Sequence, residues 1–394
     1  MVSTHLWRVI RTASLVGAAL GLPLAASAAE PVRRNVVLIM ADDLNNDLGC
    51  YGFAAVQSPQ LDRLARRSVR FDRAYCQYPV CNPSRASLLS GRRPESTGIL
   101  DNVTPARSKL PDAIFLPQYF RQQGYRTIKV GKISHTGDAF EDGPSWEIDV
   151  RETREAKNPP PEQILRELPG QGIVLNADDA KTWDGFVARR GVELLDEAVA
   201  GERPFLLAIG FRRPHTPYIA PRNYFALYPP EQITFLDEPA GHLDKIPPLA
   251  LTYRQGAKRL DAATRPLATS AYRASLSFID AQIALILDAL DRHDLWQNTV
   301  VVFASDHGYH LGEHGGLWHK MTLFEKAARV PLLVAAPGVD GGKASTGLVE
   351  LVDLYPTLVE LAGLPAAPDL EGQSFAPLLA QPDRAWKQGA FTVV

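Results

Sequence analysis

Apolar residues along this chain fall into two patterns. Short uninterrupted runs rich in Val, Ile and Leu recur: "NVVLIM" (residues 35–40), "TIKVGK" (127–132), "PFLLAIGF" (204–211), "TVVVFASDHG" (299–308) and "VPLLVAAPG" (330–338). A run without polar alternation predicts a strand buried on both faces. Each run ends abruptly in charged, His or Gly residues. Between them lie segments of helical period, such as "TSAYRASLSFIDAQIALILDALDRH" (269–293), apolar at three- and four-residue spacing. Strands alternating with helices predict an α/β fold, a large and mostly parallel central sheet covered by helices on both faces. Ligands of such sheets gather at the carboxyl ends of the strands, where the polar strand-end residues converge.

Two stretches lack this order. Residues 142–180 and 228–266 are rich in polar and Pro positions with little periodicity, and read as long surface excursions, the first a candidate substrate-facing loop. No internal repeat and no boundary between two full domains is evident. The N-terminus is different in kind. Arg8 and Arg11 precede the apolar run "ASLVGAALGLPLA", and Ala26, Ser27 and Ala28 fit a small-residue cleavage site. The expectation is a signal peptide over 1–28, a single catalytic domain over 29–394, and export to a periplasmic or secreted location. The apolar run is short of the roughly 20 residues a stable span needs, so no membrane span is expected once the signal is removed.

Composition narrows the partners. With 394 residues, 22% charged and a formal net charge of −2, the chain can bury one large core, and it lacks the basic excess expected of a nucleic-acid binder. Export permits disulfides, but three cysteines make no framework. Cys50 and Cys76 are either a pair or two buried free thiols. Cys81 is then left over.

Candidate chemistry sits at the strand ends. Asp42 and Asp43 follow one predicted strand, Asp306 and His307 another. Adjacent carboxylates repel unless a cation or proton lies between them. Oxygen-rich ligation suits Ca²⁺ or Mg²⁺ better than zinc. A lone Asp-Asp is more often a turn or helix cap; the matching "SDHG" favours a metal site. Cys81 by itself reads as a small buried hydrophobe, or as a nucleophile with His135 or His215 as base.

The whole string around Cys81 says more. Cys81, Pro83 and Arg85 in "CNPSR", followed by "ASLLSGRRP", resemble the sulfatase signature, C-x-P-S-R with T/S-G-R downstream. With "ADDLNNDLGCYG", "LPQYFRQQGYRTIKVGKISH", "FRRPHTPYIAP" and "SDHGYHLGEHGGLWHK", the resemblance covers the chain from about residue 35 to its end and points to the iduronate-2-sulfatase-like branch. It implies an alkaline-phosphatase/sulfatase-like fold. It implies too that a formylglycine-generating maturase oxidises Cys81 to an aldehyde, which hydrates to a geminal diol. Asp42, Asp43, Asp306 and His307 would bind Ca²⁺, with residue 81 completing the set. His307 departs from the Asn common in the family, a departure shared with the iduronate branch. The resemblance further implies that Arg85 holds the diol, that Lys132 and His135 flank it, and that His215 and Lys320 hold the sulfate and face the leaving oxygen. One diol hydroxyl attacks sulfur, and the second, deprotonated by His135, lets the sulfate leave by elimination. A plain Ser or Cys lacks that second hydroxyl.

The leading expectation is therefore an exported sulfatase acting on a sulfated glycan, with a 2-O-sulfated uronate as candidate substrate. Alternatives are an arylsulfatase or phosphonate monoester hydrolase and, of another class, a non-catalytic glycan-binding relative or inactive fragment. Relatives continue into a small C-terminal antiparallel sheet with a packing helix. This chain stops at "WKQGAFTVV", so that subdomain is expected to be missing or truncated. His310, His314 and His319 read as substrate-rim or structural groups. Arg92, Arg93, Arg212 and Arg213 are candidates to meet a substrate carboxylate, or simply solvated.

Overall fold

The predicted apolar runs do become buried strands. In the computed structural model, which describes residues 1–2, 33–151, 158–166, 168, 171–251 and 259–394, the central sheet contains β1 (Asn35–Asp42), β2 (Val69–Phe71), β3 (Arg126–Gly131), β4 (Ile148–Val150), β5 (Phe205–Pro214), β6 (Thr299–Ser305), β7 (Leu332–Ala335) and β8 (Lys343–Ser345). Their order is β8-β2-β7-β6-β1-β5-β3-β4. Neighbours pair in parallel except β7, which runs antiparallel to both β6 and β2. The sheet is mostly parallel, as expected. The expected signal peptide's cleavage-site residues, 26–28, lie outside the described residues.

Alternation within β1 divides the core in two. Val37, Ile39 and Ala41 face a cluster with Leu61 and Leu64 of α1 (Pro59–Arg67), Val187 and Leu194 of α3 (Trp183–Val199), and Ile279 and Ile283 of α4 (Thr264–Arg292). Val36, Leu38 and Met40 face a second cluster with Leu88 and Leu89 of α2 (Cys81–Ser90) and with Tyr355 and Leu358 of α5 (Leu354–Leu361). Helices on both faces explain why the strand is apolar at every position. Its polar residues wait at the carboxyl end.

The excursions hold more structure than their sequence suggests. Residues 148–150 add the edge strand β4, and Gln163–Leu165 and Gly172–Leu175 form a small sheet with Tyr218–Pro221. Runs of three or four residues are too short to display either period, so pattern alone missed them. The second stretch holds isolated single turns and ends in the first residues of α4. Residues 252–258 lie outside the described residues. All three cysteines are free, which resolves Cys50 and Cys76 as thiols.

One buried carboxylate joins the helices of the first cluster. Asp280 on α4 is 1% exposed and accepts from the backbone N–H groups of Gln60 (3.0 Å) and Leu61 (2.8 Å), orphan donors in the first turn of α1. Burial pushes its carboxyl up to about 7 despite those bonds. A folded-state value above the unfolded one means that its stabilising contribution is complete below about pH 4. It is lost as pH rises through about 7, by ~1.4 kcal/mol for each unit crossed. Asp280→Asn should therefore gain stability relative to the parent between pH 5 and pH 8, measured by urea denaturation at both values. An unchanged difference would contradict the assignment.

Candidate active site

Nine of the ten predicted site residues come from six chain segments that meet at one end of the sheet. Asp42 ends β1 and Asp43 follows it, and Asp306 and His307 follow β6. Lys132 follows β3, His215 follows β5, and Lys320 follows the short strand Trp318–His319. Cys81 is the first residue of α2 and Arg85 lies one turn on; every residue of that helix is buried. Close backbone approach aims Lys132. The chain passes Gly131 at φ +79, where a Cβ would stand 2.1 Å from the Gly210 carbonyl oxygen, and the Lys132 N–H then donates to that oxygen at 2.8 Å. Asp43 also sits at positive φ (66°). Its N–H donates to Asp306 Oδ1 (3.2 Å) and its carbonyl accepts from the Tyr272 hydroxyl (2.8 Å), which hold that conformation.

Around Cys81 the polar groups interlock. Its Sγ lies 3.2 Å from Lys320 Nζ, 3.4 Å from His307 Nε2 and 3.9 Å from Asp43 Oδ1. Lys132 pairs with Asp42 and Lys320 with Asp43. Arg85, 1% exposed, donates from Nε to Asp306 Oδ2 (2.8 Å) and from one terminal nitrogen to the carbonyls of Lys132 (2.7 Å) and Ile133 (2.9 Å). His215 donates from Nδ1 to the Thr216 carbonyl (2.5 Å), which can only accept, so Nδ1 carries the proton. Asp43, Cys81 and His215 each bring a ligand atom within 4.8 Å of the others.

The charges set the protonation states. Burial opposes ionisation of Asp42, yet Lys132, His215, Arg85 and Lys320 hold its carboxyl well below the usual range, and Asp43 is held low against burial by Lys320, His215 and His307. Burial and Asp42 push the Cys81 thiol up, but Lys132 and Lys320 prevail and bring it to about 6. His307 rises to about 9: burial lowers it and Asp306 outweighs that. His215 also rises, with Asp43 and Asp42 outweighing burial. His135 goes the other way, to about 3, because burial, Lys132 and Arg85 all disfavour the cation. It is thus a neutral base beside a cationic site.

His135 is the predicted residue that joins none of these ion pairs or ligand groups. It lies half-buried on the loop after Lys132, edge-on to Phe140 at 4.8 Å, with a buried Nδ1 that has no partner. Lys132 and His135 together line a cleft of about 410 Å³ that Arg212 also borders. Arg92 and Arg93 are elsewhere: Arg92 pairs with Asp369 (3.7 Å) and Arg93 with Glu350 (2.6 Å). His310 is a buried structural group between Thr322 (2.7 Å) and Glu313 (3.2 Å). His319 is half-buried and held neutral, down to about 3, by burial and Lys320.

The donor set fits a divalent cation. Asp42 Oδ1 and Asp43 Oδ2 are buried without a hydrogen-bond partner, and the ligand atoms of Asp42, Cys81, Asp306 and His307 lie within 4.8 Å of one another. Asp42 Oδ1 has only the Arg85 guanidinium at 3.5 Å and Asp43 Oδ2 has no ion-pair partner, and buried carboxylate oxygens held so loosely suit a further positive partner. His307 would have to give up its proton to ligate.

Sequence reasoning missed the groups that brace this centre. Tyr272 looks like part of an apolar helix stripe. Asp184, in the first turn of α3, accepts from the Arg212 N–H (2.7 Å) and pairs with Arg213 Nε (3.3 Å), and the Arg213 guanidinium donates to the carbonyls of His215 and Pro217. Arg213 was a candidate for a substrate carboxylate; it is 3% exposed and holds the His215 turn instead. No sequence signal separates such an Asp from a helix-start carboxylate.

Comparison with known proteins agrees with this geometry. The sulfatase family profile matches residues 34–364. The chain belongs to the sulfatase family. It is 35% identical to mouse iduronate 2-sulfatase over 86% of this chain and 71% of that protein, and 34% identical to the human enzyme over the same shares. A protein solved in complex with its substrate D-glucosamine-2-N,6-O-disulfate has the same fold, with a TM-score of 0.72 at 20% identity, over 91% of this chain and 83% of that one. This sulfatase is accordingly a sulfuric ester hydrolase, related to the iduronate 2-sulfatases as its motifs implied. Members generally use a formylglycine and a divalent metal.

Removing one partner of the Asp184–Arg213 pair leaves a guanidinium buried without a counter-charge. Asp184→Asn should lower the unfolding free energy of this sulfatase by about 3–5 kcal/mol, read from denaturant melts. A loss under about 1 kcal/mol would show that the brace is dispensable.

Proposed function

We propose that this protein is an exported sulfatase that removes a 2-O-sulfate from a uronic acid of a sulfated glycan. One observation carries the reading: Cys81 sits at a helix start within reach of Lys320, His307 and Asp43, beside two buried carboxylate oxygens that accept no hydrogen bond. The iduronate 2-sulfatase relatives support the substrate, and the N-terminal pattern of residues 1–28 supports export. Among the described residues no helix is long and apolar enough to cross a membrane.

Asp42, Asp43, Asp306 and His307 would hold Ca²⁺, with Mg²⁺ as the alternative; the bound ion would offset negative charge on the sulfate and its nucleophile. Residue 81, matured from Cys to formylglycine, would supply the nucleophilic diol. This chain's own groups do the rest. Lys132 and Lys320, drawn to Asp42 and Asp43 in the absence of substrate, turn their ammonium groups to the sulfate oxygens. Arg85 fixes residue 81 relative to three strand ends. His215, its Nδ1 proton committed to Thr216, presents Nε2 to the leaving oxygen and donates a proton there. His135, neutral and partnerless at Nδ1, accepts the proton at residue 81. A non-catalytic glycan binder would have no use for such convergence of acid, base and cations.

The test is sulfate release by protein co-expressed with a formylglycine-generating enzyme, offered a 2-O-sulfated uronate disaccharide, an aryl sulfate and a phosphonate ester. Release mainly from the uronate is expected. Preference for either other ester overturns the substrate. Cys81→Ala should abolish release with the fold intact, and chelation followed by Ca²⁺ addition should abolish and restore it; indifference to chelation removes the metal assignment. His135→Gln should lower kcat by about 10²–10⁴-fold at an unchanged Tm. A near-parental kcat would exclude it as the base.

A further inference from the structure

Away from the centre, three buried polar atoms without partners fall on one stripe of one helix. Arg265 Nε, Thr269 Oγ1 and Arg273 Nε lie at four-residue intervals on α4, so they share a face. All three side chains line a groove of about 300 Å³, walled on the far side by the loops of residues 234–242 and 311–314. Thr269 is 1% and Arg273 7% exposed. Neither arginine has an ion-pair partner among the described residues. Burial pulls the Arg273 guanidinium below its ordinary range. The attraction of Asp47, itself paired with Lys326, does not offset that burial, and native folds leave few buried donors unmet.

Aromatic rings hold these cations without satisfying them. Arg265 lies 3.9 Å over the Phe235 ring, and Arg273 lies 5.3 Å over Phe53. That contact orients a guanidinium plane but accepts none of its N–H bonds. Gly312 makes room for Arg265: a Cβ there would stand 2.3 Å from its Cδ. Lys326, 5.8 Å from the Phe53 ring, joins from the opposite wall while paired with Asp47. The other carboxylates of the groove are largely committed. Glu313 accepts from Leu311 N–H (2.9 Å) and meets His310, and Glu238 accepts from Gly315 N–H (2.9 Å). Asp237 also borders the groove, with its carboxylate exposed to solvent.

The groove is built from the same parts as the reaction centre. Tyr272, the neighbour of Arg273, carries the hydroxyl that bridges the Asp43 carbonyl and the Asn45 N–H (3.0 Å). Asp47 belongs to the loop that begins with Asp42, and Gly312 to the loop between His307 and Lys320. Arg265 and Arg273 are about 12 Å apart along the helix axis, which spreads the donors along an extended ligand.

We propose that the Arg265–Thr269–Arg273 stripe is a second anion subsite, which binds a sulfate or carboxylate group of a sulfated oligosaccharide whose reacting ester lies at Cys81. This rests on the sulfatase reading above, and it makes the substrate an oligosaccharide carrying more than one anionic group. The subsite meets its ligand by charge-assisted hydrogen bonds from two guanidinia and one hydroxyl.

Binding tests it without turnover. In Cys81→Ala protein, isothermal titration would use a multiply sulfated uronate-containing tetrasaccharide and, separately, a monosulfated uronate disaccharide. Adding Arg273→Gln should raise the tetrasaccharide Kd about tenfold or more, as expected for a lost hydrogen bond to a charged group. The disaccharide Kd should move less than about twofold. Thr269→Val, which keeps the shape and removes the hydroxyl, should weaken the tetrasaccharide about fivefold and guards against a fold defect in the first variant. Unchanged tetrasaccharide affinity in both variants overturns the subsite, as does an equal loss for both ligands. If the disaccharide binds none of the proteins while tetrasaccharide binding still depends on Arg273, the groove stands and the uronate reading falls.

Discussion

The Arg85 guanidinium is the tie on which the rest of this centre depends. It stands one turn into α2 and reaches the Asp306 carboxylate after β6, the Lys132 and Ile133 carbonyls after β3, and the Ala41 carbonyl at the end of β1. Burying a guanidinium is unfavourable unless its donors are met and its charge is offset. Here both conditions are satisfied only when three strand ends and one helix start occupy their native positions together. The arginine therefore links the register of the sheet to the location of Cys81, four residues earlier on the same helix. A cation at this point turns the general tendency of parallel sheets to bind ligands at their carboxyl ends into a defined position for one side chain.

Charge balance explains why the ring of residues is assembled this way. Asp42, Asp43 and Asp306 contribute three negative charges; Arg85, Lys132 and Lys320 contribute three positive ones, and His307 is raised towards its charged form. The lysines close onto Asp42 and Asp43 while the second oxygen of each carboxylate accepts no hydrogen bond, that of Asp42 lying 3.5 Å from the Arg85 guanidinium. A divalent ion at those oxygens would free the lysines and leave the site net positive. A sulfate ester is an anion, and an anionic nucleophile meets it only where that repulsion is offset. The same residues serve folding and chemistry, and electrostatics makes the two demands compatible.

Much of this was legible in the sequence because the signals were local. Strands buried on both faces announce themselves as unbroken apolar runs, and Asp42, Asp43, Lys132, Asp306 and His307 stand at the ends of those runs. The signature around Cys81 is contiguous as well. What could not be read depended on long-range pairing. Asp184, Arg213 and Tyr272 brace the centre through bonds between segments 28 to 229 positions apart, and each looks unremarkable among its own neighbours. The edge strand Ile148–Val150 and the small sheet were hidden for another reason, since three residues carry no period. His310 was ambiguous in sequence, and only burial between Thr322 and Glu313 makes it structural.

The α4 helix shows how far this reasoning extends. Its apolar stripe was predicted from period alone, and its length lets one element serve three purposes. Ile279 and Ile283 pack the core, Asp280 caps α1, and Tyr272 steadies Asp43. Its first turns carry polar side chains that the core cannot use and that no partner in the fold satisfies. Elsewhere in this molecule a buried charge is matched, as Arg85 is by Asp306 and Arg213 by Asp184. Arg273 breaks that rule beside a groove that shares two loops with the reaction centre. The unpartnered Nε atoms of Arg265 and Arg273 and the Thr269 hydroxyl lie together in one cavity, where an anion supplied from outside would meet all three.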